Sequence, residues 1–156
     1  AEQGLPEAAY DLAGLMAGGV GGERDPVSAR HWFAKAAEAG DPFGHYNLAM
    51  MALAGDGGGK DPVLARRHLE IAADAGAVPA QIRLAYLLAG GEGGRRDRIG
   101  ALAWFRIAAG LGDAAAAENA KRLAGAMPAA DVATAGRRAE AFQPHRSDAK
   151  SKRTGG

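Results

Sequence analysis

The chain has 156 residues, of which 39 are alanine and 24 are glycine, so two fifths of its positions carry almost no side chain. Valine, isoleucine and threonine together number only 11, which is too few to pack a β-sandwich or barrel, and an all-α fold is expected. A net charge of +1 argues against bulk electrostatic binding to nucleic acid, and the absence of cysteine excludes disulfides and thiolate chemistry.

The sequence repeats itself every 36 residues. Residues 10–40 and 46–76 align without gaps and are identical at 15 of 31 positions, and a third copy follows over residues 77–112. A two-helix unit of this size cannot bury its apolar face alone, so the copies must stack. The repeat predicts a right-handed α-solenoid of about three helix-turn-helix units, residues 5–40, 41–76 and 77–112, followed by capping helices over residues 113–142.

The first helix of each unit is predicted over residues 6–17, 42–54 and 78–89, where large apolar residues recur at helical spacing. The glycine-rich segments 18–24, 55–60 and 90–96 then end these helices, because glycine disfavours a helix interior and adopts positive φ angles at little cost. These segments are predicted to be turns.

The second helix of each unit begins after an acidic residue that can cap it, at Asp25, Asp61 and Asp97. Proline follows the first two of these aspartates at the first helical position, where it is well tolerated. An alanine and aromatic stripe, for example Ala29 with the Trp32 and Phe33 pair, is predicted to face the core. Glycine at positions 40, 76 and 112 is predicted to end each second helix.

The two ends of the chain depart from the repeat. Residues 1–4 match residues 37–40, which predicts that the chain starts on the last turn of a second helix, as a fragment would. Residues 116–126 and 128–141 are predicted to form charged capping helices. Residues 143–156 lose apolar periodicity, carry a net charge of +3, and are predicted to be a disordered basic tail.

The segments D25-P-V-S-A-R-H-W-F-A-K-A-A-E-A-G40 and D97-R-I-G-A-L-A-W-F-R-I-A-A-G-L-G112 resemble the Sel-one-like repeat (SLR) family, a relative of the tetratricopeptide repeats. The resemblance covers residues 1–126. It implies a bacterial α-solenoid that acts as an interaction scaffold, typically an adaptor in signalling or envelope processes, with no chemistry of its own. A location in the cytoplasm and one in the periplasm are both compatible with it.

Residues that could support chemistry fit a structural role better. The four histidines, His31, His45, His68 and His145, match no zinc-ligand spacing, and His68 lies in the column of Trp32, where packing is expected. The glycine loops lack the spacing of a phosphate-binding loop, and no serine has a base in sequence context. No catalytic residue, cofactor or metal site is therefore predicted.

Partner binding is predicted on the concave face that the first helices line, at positions that vary between copies. Asp11, Asn47 and Arg83 share one column and form a ladder from acid to amide to base that can hydrogen-bond a peptide backbone. Met50 and Tyr86 share another column and could supply apolar contact. These five residues are the predicted partner-binding site.

The sequence thus favours a non-enzymatic scaffold that binds a protein or peptide segment. An alternative is a regulatory or envelope-remodelling array attached to a catalytic segment upstream of residue 1. A third possibility, nucleic-acid binding through the basic tail, would depend on residues 143–156 and on salt concentration.

Overall fold

The computed structural model of the chain describes residues 5–19 and 23–144. Over these residues it contains eight helices and no strand. The helices are α1 (Leu5–Gly18), α2 (Pro26–Glu38), α3 (Pro42–Ala54), α4 (Pro62–Asp74), α5 (Val78–Gly90), α6 (Arg98–Gly110), α7 (Ala114–Gly125) and α8 (Ala129–Ala141). Residues 1–4, which were predicted to form the last turn of a second helix, and most of the predicted tail lie outside the described residues.

From α1 to α7 each helix packs on the next along the chain, which gives an all-helical α-solenoid. The helix pairs α1 with α2, α3 with α4, and α5 with α6 form the three predicted units, and α2 and α4 join each unit to the following one. The helix α8 departs from this serial order, because it packs back onto α6. The C-terminal helices therefore close one end of the third unit.

The predicted caps of the second helices are confirmed. The carboxylates of Asp25, Asp61 and Asp97 accept hydrogen bonds from the backbone N–H three residues later, at 3.0, 2.9 and 2.8 Å. The backbone N–H of each of these aspartates also donates to the carbonyl of a residue nine positions earlier in the first helix, at 2.8–3.0 Å. Each cap residue thus starts one helix and fixes it to the preceding helix.

Glycine is required in the loops by backbone geometry. Gly57 has φ of 68°, and a Cβ atom there would lie 2.5 Å from the Pro26 carbonyl oxygen of the previous unit. Gly93 has φ of 73° in the next copy of the loop, and its Cβ would collide with the carbonyl oxygen of Pro62. These close approaches support the interpretation of the loops as turns that pack against the preceding unit.

Small residues form the contact layers between helices, and larger buried side chains fill the remaining space. Fully buried alanines recur at equivalent positions of α2, α4 and α6: Ala29 and Ala36, Ala65 and Ala72, Ala101 and Ala108. Each second helix also carries a pair of large residues at equivalent positions, 32–33, 68–69 and 104–105. The second residue of each pair is buried: Phe33, Leu69 and Phe105. The first member, Trp32, His68 or Trp104, is only half-buried, so the stripe predicted to face the core is narrower than its sequence pattern.

The capping helices differ slightly from the prediction. The helix α7 begins at Ala114, two residues earlier than predicted, because Asp113 caps it through a hydrogen bond from the Ala116 N–H at 2.7 Å. Beyond α8, Phe142 lies edge-on against Trp104, with ring centroids 5.2 Å apart. A Cβ atom at Gly76 would lie 3.2 Å from the side chain of Pro144. The segment after α8 therefore crosses α6 towards the end of α4.

Candidate interaction surface

The predicted ladder occupies one position on consecutive first helices. Asp11 lies on α1, Asn47 on α3 and Arg83 on α5. Each is the sixth residue of its first helix when the count starts at residues 6, 42 and 78, which are 36 residues apart. The same register places Asn119 on α7, although sequence analysis did not include it. We call the surface formed by Asp11, Asn47, Arg83 and Asn119, with Met50 and Tyr86, the first-helix face.

The two asparagines of the ladder form the same pair of hydrogen bonds. Asn47 Nδ2 donates to the Phe43 carbonyl oxygen at 2.9 Å and to the Tyr10 hydroxyl on α1 at 3.2 Å. Asn119 Nδ2 donates to the Ala115 carbonyl oxygen at 2.9 Å and to the Tyr86 hydroxyl on α5 at 2.8 Å. Each amide is therefore fixed on its own helix and bridges to the preceding first helix. These bridges join α3 to α1 and α7 to α5 along the side where the ladder residues lie.

The amide oxygens of these asparagines differ. Asn119 Oδ1 accepts a hydrogen bond from Arg122 Nη2 at 2.7 Å. Asn47 Oδ1 accepts none from the described residues, and Asn47 is partly exposed. An oriented amide with a free acceptor can receive a backbone N–H from a bound segment.

The two charged ladder residues are exposed, and neither forms a hydrogen bond or ion pair with a described residue. Asp11 therefore presents on α1 a carboxylate that no described residue pairs with, and Arg83 presents such a guanidinium on α5. Other charges form contacts across the loops: Arg24 pairs with Asp56 at 3.2 Å, and Lys60 with Glu92 at 4.0 Å. The ladder charges are available to a partner.

Tyr86 and Met50 supply apolar surface to different degrees. Tyr86 is 45% exposed, and its ring is held edge-on by Phe105 with centroids 5.1 Å apart. Together with the bond from Asn119, this contact fixes the ring while one side stays open. Met50 is half-buried and packs against the core cluster that contains Leu84 and Leu87. The ordered Tyr86 ring is thus the larger apolar contact on the first-helix face.

Two histidines that are far apart in sequence meet in the structure. His45 Nδ1 on α3 and His68 Nδ1 on α4 lie 2.9 Å apart, so one ring donates and the other accepts. Burial lowers the pKa of His45, while nearby Asp41 acts in the opposite direction. Burial also lowers the pKa of His68, with further contributions from His45 and Arg30. The half-buried position of His68 agrees with its predicted packing role, but the pair itself has no sequence signature.

Within the described ranges, His, Cys, Asp and Glu side chains form no group of three or more that could hold a metal ion. Among the helices of this part of the chain, none is long and apolar enough to cross a membrane.

Comparisons with known proteins identify the repeat. The Sel1 repeat family model matches residues 6–41, 42–76 and 78–113. The chain belongs to the Sel1 repeat family. No curated protein matches the sequence.

Two solved structures share the fold of this Sel1 repeat protein. A Sel1 repeat protein from Oxalobacter formigenes matches with a TM-score of 0.73 and 31% identity, over 76% of this chain and 49% of that chain. A protective antigen of uropathogenic Escherichia coli strains, which displays an SLR fold, matches with a TM-score of 0.63 and 23% identity, over 96% of this chain and 40% of that chain. The chain thus spans half the length of these proteins or less.

Sel1 repeats generally mediate protein–protein interaction, and proteins built from them are typically non-catalytic scaffolds.

Proposed function

We propose that this Sel1 repeat chain is a non-enzymatic adaptor that binds an extended segment of a partner protein along its first-helix face. The observation that carries the proposal is the pair of bridging asparagines. Asn47 in the middle unit and Asn119 on the capping helix α7 are each fixed by a bond to the carbonyl four residues earlier and by a bond to a tyrosine hydroxyl of the preceding first helix, and Asn47 keeps an acceptor that no described residue uses. An extended peptide has one backbone donor and one acceptor per residue, and it can use fixed amides at regular intervals along a solenoid.

The surroundings of the asparagines favour binding over a purely structural role. A ladder that only joined helices would not need free charges, yet Asp11 and Arg83 occupy equivalent positions and have no partner among the described residues. Tyr86 adds an ordered aromatic ring beside them. Aromatic and arginine side chains are the residue types that contribute most to protein interfaces.

The proposal is tested by replacing Asn47, Arg83 and Tyr86 together with alanine. Tagged wild-type and variant chains are used for affinity capture, and the captured proteins are identified by mass spectrometry. We expect the main partner of the wild type to be lost or to bind at least about tenfold more weakly to the variant, because several interface contacts of about 1 kcal/mol each are removed.

A matched control carries three alanine substitutions on the outer side of α4, at Val63, Arg67 and Ile71. All three residues are exposed and lie on one stripe of the second helix of the middle unit. We expect this variant to retain the partner. Unchanged affinity in the first-helix variant, or a loss confined to the α4 variant, would place the binding surface elsewhere and contradict the proposal. Circular dichroism of both variants verifies that they remain folded.

A further inference from the structure

The charges of the first-helix face are arranged with a direction along the solenoid. Asp11 lies on the first of the described first helices, and Arg83 lies two units later. Arg122 on α7 continues the basic end and is held by its bond to Asn119 Oδ1. Glu118 on the same helix is exposed and forms no ion pair with Arg83. Apart from Glu118, the face therefore runs from the carboxylate of Asp11 to the guanidinium groups of Arg83 and Arg122, and neither Asp11 nor Arg83 pairs with a described residue.

The spacing of these charges sets the length of segment that would contact both. The bond from Asn47 to Tyr10 shows that α1 and α3 lie side by side, and at a spacing of roughly 10 Å between such helices the step from α1 to α5 across α3 covers roughly 20 Å. An extended chain rises about 3.3 Å per residue, so this distance corresponds to about six residues. In an extended segment, side chains an even number of residues apart point to the same side. Two side chains six residues apart can therefore both face the solenoid.

The ladder also offers a contact at the centre of this interval. Asn47 lies on α3, between the helices that carry Asp11 and Arg83, and its Oδ1 is free to accept a hydrogen bond. An acceptor at this point can receive a hydrogen bond from a backbone N–H of the segment, and this bond does not depend on which side chains the segment carries. Sequence preference would then come from the two charged ends.

From this arrangement we infer that the partner segment is an extended peptide with a basic side chain opposite Asp11 and an acidic side chain opposite Arg83, about six residues apart. This inference rests on the proposed function, since it describes the ligand of the same face. Complementary charges at the rim of an interface fix orientation and register more than they add affinity. The charge pair therefore selects which segment binds and in which direction.

The test is a selection from a random peptide library of 12 residues displayed on phage, with the full chain as bait. A second bait carries D11K and R83E, which exchange the two charges at exposed positions without partners among the described residues. We expect the wild type to enrich peptides with a basic and an acidic residue about six positions apart, in one order along the peptide. The exchanged bait is expected to enrich the opposite order.

One enriched peptide is then synthesised, and its basic residue is replaced by glutamate. We expect this peptide to bind the wild type up to about fivefold more weakly, as is typical of one exposed ion pair, and to recover its affinity on the chain carrying D11K alone. Recovery on that chain is a result that a general loss of binding would not produce.

A third bait, with alanine at Asn47, Arg83 and Tyr86, separates the two hypotheses. If no peptide is enriched on the wild type, or if the same peptides are enriched on this third bait, the proposed function is wrong. If enrichment depends on the first-helix face but shows no charge pair, or if the order of charges is the same on the exchanged bait, only the charge register is overturned.

Discussion

Single residues decide how equivalent positions of this repeat differ in chemistry. Trp32, His68 and Trp104 share one column, and all three are half-buried. Trp104 is covered by Phe142, while Trp32 lies under the ammonium group of Lys35, 4.8 Å from the ring centroid. His68 instead contacts His45 through their Nδ1 atoms. The middle unit thus has a polar, titratable ring where the other two units have tryptophan.

We predict that the chain loses stability as the pH falls from 7.5 to 5.5. The folded-state pKa values of His45 and His68 are lowered by burial, so the unfolded chain, with histidine pKa near 6.5, binds protons first. The stability that the two neutral histidines contribute is fully present above pH 6.5. It is lost as the pH falls from 6.5 towards the lowered pKa values of the folded state. Two protonated rings would also both be donors, which breaks the bond between their Nδ1 atoms. The urea unfolding midpoint at several pH values measures the effect.

A double variant, His45→Gln with His68→Trp, serves as the control. It introduces the residues that occupy these columns in the third unit, Gln81 and Trp104. We expect its unfolding midpoint to change less over the same pH interval, because the two histidines whose pKa values burial lowers have been removed. An equal pH dependence in both proteins would assign the effect to other groups.

The sequence predicts which positions the residues of the candidate site occupy in the repeat, but it does not predict the hydrogen bonds that they form. A fixed period placed Asp11, Asn47 and Arg83 in one column, because each unit repeats the same backbone. The bridges from the asparagines to Tyr10 and Tyr86 depend on the distance between helices, which no sequence pattern contains. Asn119 could have been found from its offset of 36 residues, but the apolar columns around it no longer match the repeat.

Whole helices were predicted to within about two residues because their ends depend on local signals. Asp61 followed by proline starts α4, and Gly76 with φ of 91° follows its end. The sequence does not indicate how closely α3 approaches α2. Gly44 on α3 shares a column with Ala80 and Ala116, so the pattern alone suggests that alanine fits there. The structure shows that it does not.

We predict that Gly44→Ala lowers the free energy of unfolding by about 1–3 kcal/mol, as overpacking in a core does. A Cβ atom at Gly44 would lie 2.6 Å from the backbone nitrogen of Ala37 and 3.0 Å from the Phe33 carbonyl oxygen on α2. Because these are backbone atoms, the two helices must separate to accept it. Chemical denaturation of the wild type and the variant measures the change.

Gly14→Ala is the matched control for this substitution. Gly14 is exposed in the interior of α1, and a Cβ atom there would meet nothing within 4 Å beyond its own helix and neighbours. Alanine should then raise the free energy of unfolding by about 0.5–1 kcal/mol through its higher helix propensity. Stabilisation by both substitutions would show that α2 and α3 can move apart at little cost.

At the scale of the molecule, the sequence predicts the serial stacking but not the closure of its end. Stacking follows from the period, because each unit must bury the same apolar face against its neighbour. The return of α8 onto α6 and the contact of Phe142 with Trp104 occur once and join residues distant in sequence, so no repetition indicates them. The core is accordingly divided into three clusters along the described part of the chain.

We predict that damage to one unit unfolds that unit before the others. Phe33 and Phe105 are equally buried and lie edge-on against Tyr10 and Tyr86, so Phe33→Ala and Phe105→Ala form a matched pair, each expected to cost about 3–5 kcal/mol. In hydrogen exchange, Phe33→Ala should remove protection mainly from α1 to α3, and Phe105→Ala mainly from α5 to α8. This asymmetry is expected because the main packing of each unit is against its neighbours in the described part of the chain. Uniform loss of protection in both variants would mean that the solenoid unfolds as one cooperative unit.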